Sequence, residues 1–245
     1  MNATDLAHRT VAETVARDYR TAEIFRKYGI DFCCGGKRSI EEVCRSKGIE
    51  VERLLDELRQ LQSGNPQPDH DYQSWSPTFL ADYIVQVHHN YVRSKLPMLR
   101  QYSEKVARVH GEANPETRLI AAYVQELEEE MTAHMQKEEM ILFPYVRHLE
   151  QTRERGKRPF PPPFGTVQNP IRVMEQEHDH AGALMRKMRE LSAGFRPPDH
   201  ACNTYRVLYS LLEEFEKDLH KHVHLENNIL FPKAIALEEE LGAGS

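Results

Sequence analysis

The chain has 245 residues, 40% of them hydrophobic and 29% charged, with a formal net charge of −6. That length can bury a sizeable core in one large domain or two smaller ones, and the acidic balance excludes a general nucleic-acid binder, which would be basic. No apolar run approaches the ~20 residues of a membrane span. The opening MNATDLAHRTVAETVARD has no basic start before an apolar block, and four cysteines without a regular framework suit a reducing interior. A cytoplasmic address is therefore expected.

Residues 1–63 read as a small helical domain. TVAETVARD and AEIFRKYG carry apolar residues at helical spacing, and Gly29 is placed to stop the second helix. The stretch DFCCGG, Asp31 to Gly36, then sets two cysteines side by side. Adjacent Cα atoms lie ~3.8 Å apart, closer than the ~4.4–6.8 Å of an ordinary disulfide, so Cys33 and Cys34 are poor partners for a structural bridge. Ser39-Ile40-Glu41-Glu42 is a capping-box pattern that predicts a helix ending near Gly48, and VERLLDELRQLQ predicts another. The polar, turn-rich residues 64–76 read as a linker.

Residues 77–241 are expected to form four long helices, and the near absence of strand signal predicts an all-α, four-helix bundle. The first helix runs through FLADYIVQVHHNYVRSKLPMLRQYSEKVARVH, with a bend expected at Pro97, and the second through TRLIAAYVQELEEEMTAHMQKEEMILFPYVRHLE. The proline-rich loop across 153–165 has no assignable role. IRVMEQEHDHAGALMRKMREL and YRVLYSLLEEFEKDLHKHVHLENNILFPKAIALEEEL complete the set.

The strongest signal is an internal repeat among the 13 histidines. HMQKEEMILFP, from His134, and HVHLENNILFP, from His222, both read His-x-x-x-Glu followed by Ile-Leu-Phe-Pro. His134 and Glu138 therefore share one helix face, as do His222 and Glu226. The other two helices carry His89, in VHHNYV, and His178, in QEHDHAG, at matching intervals. The chain looks like a duplicated helical hairpin that gathers four imidazoles and two carboxylates inside the bundle. Unpartnered buried carboxylates would cost several kcal/mol, and metal cations remove that cost. Mixed nitrogen and oxygen ligation suits non-haem iron or manganese.

A single His/Glu pair four residues apart is usually a surface contact worth a few tenths of a kcal/mol. Two copies in matching contexts favour a buried di-metal site instead. His110 reads either as a further ligand or as a helix-end cap. Glu130 and Asp218, one turn before His134 and His222, read either as outer partners of those imidazoles or as a solvated acidic face. His8, His70, His148 and His200 carry no pattern and are expected at the surface. His180 and His224 fall outside the ligand set, and Cys44 and Cys202 read as packing residues.

HMQKEEMILFP, EQEHDHAG and HVHLENNILFP, together with DFCCGG, resemble the Ric family of iron-sulfur cluster repair di-iron proteins. The likeness spans nearly the whole chain. It implies a hemerythrin-like bundle holding two non-haem irons, with His89, His134, His178 and His222 as terminal ligands and Glu138 and Glu226 as bridges. His89 rather than His88 matches when Leu96-Pro97 is the anchor. Each iron would be short of six ligands, leaving room for nitric oxide, dioxygen or an oxo bridge.

The resemblance further implies a role in nitrosative and oxidative stress, with iron-sulfur proteins as iron acceptors. Cys33 and Cys34 would stand near an entrance to the irons and relay nitric oxide or iron. The plainer reading is a buried turn whose thiols only pack. A helix starting at Ser39 would favour thiolate there. The competing function is a hemerythrin-like dioxygen, nitric oxide or iron sensor without turnover. A ferritin-like oxidase would favour Glu-x-x-His over His-x-x-x-Glu. Oligomeric state is open, with the N-terminal domain able to mediate a homodimer.

Overall fold

The computed structural model describes residues 3–64, 70–157 and 159–243. The protein is all-α: among the described residues no strand forms, and Thr10 and Ser39 make an isolated antiparallel bridge. None of its described helices is long and apolar enough to cross a membrane.

The N-terminal helices are α1 (Ala3–His8), α2 (Val11–Arg17), α3 (Thr21–Lys27), α4 (Ile40–Lys47) and α5 (Val51–Gly64). Reciprocal capping boxes start α2, through Thr10 and Glu13, and α4, through Ser39 and Glu42. Gly48 ends α4 in the left-handed conformation, at φ 66°. Val11, Val15, Phe25, Ile40, Leu54 and Leu58 fill the core of this unit.

The first long helix comprises α6 (Pro77–Tyr83), a π-turn over Ile84–His89 and α7 (Asn90–His110). The second comprises α8 (Glu116–Lys137), a π-turn over Glu138–Leu142 and α9 (Phe143–Glu154). α10 (Gln168–Leu191) is the third. The fourth comprises α11 (Asn203–Leu225), a π-turn over Glu226–Leu230 and α12 (Phe231–Ala243). α7 packs against α8 and α11, and α10 packs against α8 and α11, closing a four-helix ring.

Proline explains two of the π-turns. The N–H of Phe143 bonds to the carbonyl of Glu138, and that of Phe231 to Glu226, each five residues back. Pro144 and Pro232 follow directly; each lacks an N–H and crowds the carbonyl four residues earlier, so the helix widens ahead of it. No neighbouring proline accounts for the π-turn at Ile84–His89. Pro97 lies within α7, which continues to His110 as one element, so the departure from α geometry falls before it.

Two apolar cores flank the His/Glu layer. One runs from the N-terminal unit through Val92, Met131, Met135, Leu184 and Leu219. The other gathers Leu80, Leu142, Phe143, Met174, Leu230 and Phe231 around α6, α9 and α12. The Ile-Leu-Phe runs were expected to seat the ligand helices, and five of the six residues are buried; Ile141 faces solvent, 47% exposed.

The N-terminal unit docks on the fourth helix. The Phe32 ring meets His220 and His224 edge-on, at 5.8 and 5.9 Å, and Asn228 Nδ2 donates to the carbonyls of Phe32 and Cys33. Residues 65–69 of the expected linker lie outside the described residues. In the described part, Tyr72 is buried and Trp75 contacts Phe79 and Tyr83, while His70, Asp71, Gln73, Ser74 and Ser76 are exposed. In the proline-rich segment, Phe160 is exposed and Phe164 meets Tyr145 at 5.1 Å.

Candidate metal centre

The repeat places six side chains in one layer. His89, Glu138, His222 and Glu226 form one group and His134, Glu138, His178 and Glu226 the other, with both carboxylates common to the two. In each group the donor atoms lie within 4.8 Å of one another. Every one of the six residues is 1% exposed or less. Glu138 Oε2 stands 3.3 Å from both His89 Nε2 and His134 Nε2. Glu226 lies 2.9 Å from His222 Nε2 through Oε1 and 3.1 Å from His178 Nε2 through Oε2.

The donor set has the chemistry of a cation site. Both oxygens of Glu138, Glu226 Oε2 and His89 Nε2 are buried without a hydrogen-bond partner. The His134 and His178 rings also face each other, with His134 Nε2 lying 3.0 Å from His178 Nε2. Such orphaned atoms in an apolar core are expensive unless a cation takes their lone pairs. The donors are nitrogen and oxygen only, which fits non-haem iron. Burial opposes charging of His89 and His134, but Glu138 and Glu226 outweigh it and raise both to about 10. Metal uptake must therefore displace protons from these rings.

An outer set of partners aims three of the imidazoles. His89 Nδ1–H donates to Glu139 Oε1 at 2.6 Å, and Arg93 holds the same oxygen. His134 Nδ1–H donates to Glu177 at 2.9 Å; the hydrogen bonds of His134 and Lys137 overcome burial and lower Glu177 to about 2. His178 Nδ1–H donates to Asn227 Oδ1 at 2.9 Å. With Nδ1 engaged, each ring presents Nε2 to the centre. His222 Nδ1 has no hydrogen-bond partner; its ring stacks on His88 at 5.5 Å.

Sequence reasoning did not single out Glu139, Glu177 and Asn227. A signal existed, since Glu139 and Asn227 occupy the same position of the repeat, one residue after Glu138 and Glu226. The structure also places four residues whose roles the sequence left open or assigned otherwise. His110 lies outside both donor groups: it ends α7, and its Nε2 lies 3.2 Å from Cys202 Sγ. Cys202 in turn is exposed rather than packed. Glu130 is exposed and makes no contact with His134, whose carboxylate partner is Glu177 from α10. Asp218 supports His88 rather than His222, with Oδ1 2.9 Å from His88 Nδ1. His88 is buried beside the layer but outside both donor groups.

Among the remaining histidines, His8, His70 and His200 are exposed, whereas His148 is half-buried. His180 pairs with Glu126 near the surface. His224 is fully buried under the N-terminal unit, accepting from Asn228 Nδ2 at 3.0 Å, and burial depresses it to about 3.

Cys33 is buried and Cys34 half-buried, and both line a cavity of about 370 Å³ with Asp31, Arg186 and His220. Asp31 Oδ1 accepts from the backbone N–H of both cysteines, each at 3.0 Å. Gly36 is required by close approach: a Cβ there would lie 2.5 Å from the Phe32 carbonyl oxygen. The expected thiolate is not favoured at Cys33. Its hydrogen bond to Cys34, burial and the Asp31 carboxylate push that thiol well above its ordinary value. The cysteine turn nevertheless reaches the bundle centre in two hydrogen bonds, because Asn227 Nδ2 donates to the Cys33 carbonyl at 3.4 Å.

The geometry agrees with known proteins. Residues 80–234 match the hemerythrin HHE cation binding domain, and residues 7–62 match ScdA_N, a domain of unknown function. The iron-sulfur cluster repair protein YtfE of Yersinia pestis (strain Pestoides F) is 38% identical over 216 residues, covering 88% of this chain and 91% of that protein. YtfE of Yersinia pseudotuberculosis serotype IB (strain PB1/+) matches with the same identity and coverage. An N-terminal cysteine-bearing unit docked on a hemerythrin-like bundle, together with this identity along most of both chains, shows that the chain belongs to the YtfE family of iron-sulfur cluster repair proteins.

Proposed function

We propose that the bundle holds two non-haem irons and that the protein supports repair of damaged iron-sulfur clusters under nitrosative and oxidative stress in the cytoplasm. Residues 1–63 act as the cysteine-bearing unit, 64–76 as the connector and 77–241 as the metal-holding bundle. The single observation that carries this reading is the sharing of Glu138 and Glu226 between two imidazole groups. One carboxylate set serving two donor groups suits a bridged pair of ions better than one ion or none.

In this reading His89 and His222 would hold one ion and His134 and His178 the other, with Glu138 and Glu226 available to both. Bound irons would supply exchangeable positions and electrons for nitric oxide or dioxygen. The chain's own groups do the rest. Glu139 and Glu177 accept from Nδ1, fix the rings and make Nε2 more basic. Phe143 stacks on His89 and Phe231 on His178, at 5.8 and 6.1 Å, excluding water from that side. Cys33 and Cys34 serve as a relay for nitric oxide or iron, positioned through Asn227 and Asn228.

Anaerobic titration of the reduced protein with nitric oxide, with nitrous oxide measured, tests turnover. Gas release at half the nitric oxide consumed supports reduction. A stoichiometric nitrosyl without gas makes the protein a sensor or carrier. Donation is tested separately by transfer of labelled iron to an apo-cluster protein, with iron-sulfur proteins as acceptors. No transfer above a free-iron control removes that role.

A further inference from the structure

The cavity of about 370 Å³ beside DFCCGG lies between the N-terminal unit and the faces of α10 and α11, and the proposed iron centre uses none of its donors. On its wall, Cys33 Sγ and Cys34 Sγ are 3.8 Å apart, and Asp31 Oδ1 is 3.3 Å from Cys33 Sγ. The three donor atoms all fall within 4.8 Å of one another. Two thiolates bound at ~2.3 Å to one tetrahedral ion stand ~3.8 Å apart, and a thiolate and a carboxylate oxygen ~3.5 Å apart. The side chains thus already have the separations of ligands on a common ion.

We propose that Asp31, Cys33 and Cys34 form a mononuclear site for one thiophilic divalent cation, with its remaining position open to the cavity.

Several features fit an exchange site rather than a structural one. A structural site closes four protein ligands around the ion, whereas three leave a position for an incoming donor. The carboxylate is pre-positioned by the N–H groups of the two cysteines whose thiols it accompanies. Two thiolates and a carboxylate around a divalent ion carry one excess negative charge. Arg186, whose Nη1 is 4.0 Å from Asp31 Oδ2, is placed to offset it. The other cations of the cavity already have partners: Arg26 with Glu23, Lys27 with Glu57, Arg189 with Glu216 and Lys217 with Glu213. His220 lines the same cavity with its Nδ1 buried and lacking a hydrogen bond. Binding releases the two thiol protons, and neither sulfur changes oxidation state. The assignment of ferrous iron as the physiological cargo rests on the donation reading above; the site itself does not.

Cobalt(II) is the probe. The full-length protein carries Cys202→Ser, which removes the exposed thiol beside His110. Anaerobic titration of the protein with its bundle iron-loaded should give a thiolate-to-cobalt charge-transfer band saturating at one equivalent, with release of two protons. The bundle layer offers only nitrogen and oxygen donors, so this band reports the cysteine site alone. Cys33→Ser and Cys34→Ser should each abolish it, and Asp31→Asn should weaken binding at least ~10-fold. The band should persist in Glu138→Ala, so failure of the bundle reading and failure of this one are separable. Unchanged helicity by circular dichroism identifies the variants that remain folded. No band in the parent, or a band that survives Cys33→Ser/Cys34→Ser, overturns the proposal.

Discussion

His178 gives its Nδ1–H to Asn227 Oδ1 at 2.9 Å, and the same amide turns its nitrogen toward the Cys33 carbonyl at 3.4 Å. One buried side chain therefore touches both a bundle imidazole and the cysteine turn. Replacing it should be felt on both sides. Asn227→Ala is expected to weaken metal binding by about 10–100-fold, as loss of an outer partner to a ligating imidazole does. Chelator competition measures this. The alkylation rate of Cys34 in the same variant reports the loosened turn, and wild-type values for both would refute the link.

Glu138 and Glu226 each serve both donor groups. Glu138→Ala or Glu226→Ala should empty both metal positions together rather than halve the content. Elemental analysis of the purified variants decides it. One ion retained per chain in either variant contradicts the shared arrangement. In the metal-free protein Glu138→Ala strands the charged imidazoles of His89 and His134, at a cost of about 3–5 kcal/mol.

Docking of the N-terminal unit should weaken in acid. His224 is buried against Phe32 and Tyr19, accepts from Asn228, and has Lys221 nearby over the Tyr19 ring. Burial holds it at about 3 against an ordinary 6.5, so the folded state wants it neutral. Its stabilising contribution is complete above pH 6.5 and declines as pH falls from there toward 3, by up to about 1.4 kcal/mol per pH unit. Denaturant unfolding between pH 7 and 5 measures the slope. His224→Leu cannot titrate and should flatten it.

Gly36→Ala drives a Cβ to 2.5 Å from the Phe32 carbonyl oxygen and 2.9 Å from Ala12 Cβ, both hard to move. It should cost about 1–3 kcal/mol, as overpacking does. Gly35→Ala meets the Asp31 side chain at 3.4 Å, an ordinary contact, and should be much milder. Thermal unfolding of the pair provides the comparison.

The helices and the ligand layer were legible because their signals are local or repeated. Thr10 and Ser39 cap as their capping boxes dictate, and a His/Glu pair four apart falls on one face wherever the helix packs. Outer partners were less legible because they come from other helices: Glu177 of α10 reaches His134 of α8, and Glu139 reaches back to His89. Glu130 shares the sequence spacing of an outer partner yet points to solvent, since bundle packing selects only part of a helix face. His110 failed for length. α7 spans 21 residues, and at ~1.5 Å per residue its last histidine lies ~30 Å from its first turn. The π-turns at Glu138–Leu142 and Glu226–Leu230 were hidden in plain view, in prolines that follow each apolar run.

The two halves of the layer differ in their backing. His89 leans on the carboxylate of Glu139 and His134 on that of Glu177, His178 on the neutral amide of Asn227, and His222 Nδ1 has no hydrogen-bond partner. The repeat supplies matching hands, but they do not grip alike. A pair of irons held this way would be spectroscopically distinguishable, giving two quadrupole doublets rather than one, and the ion gripped by the unsupported ring would be the first to leave.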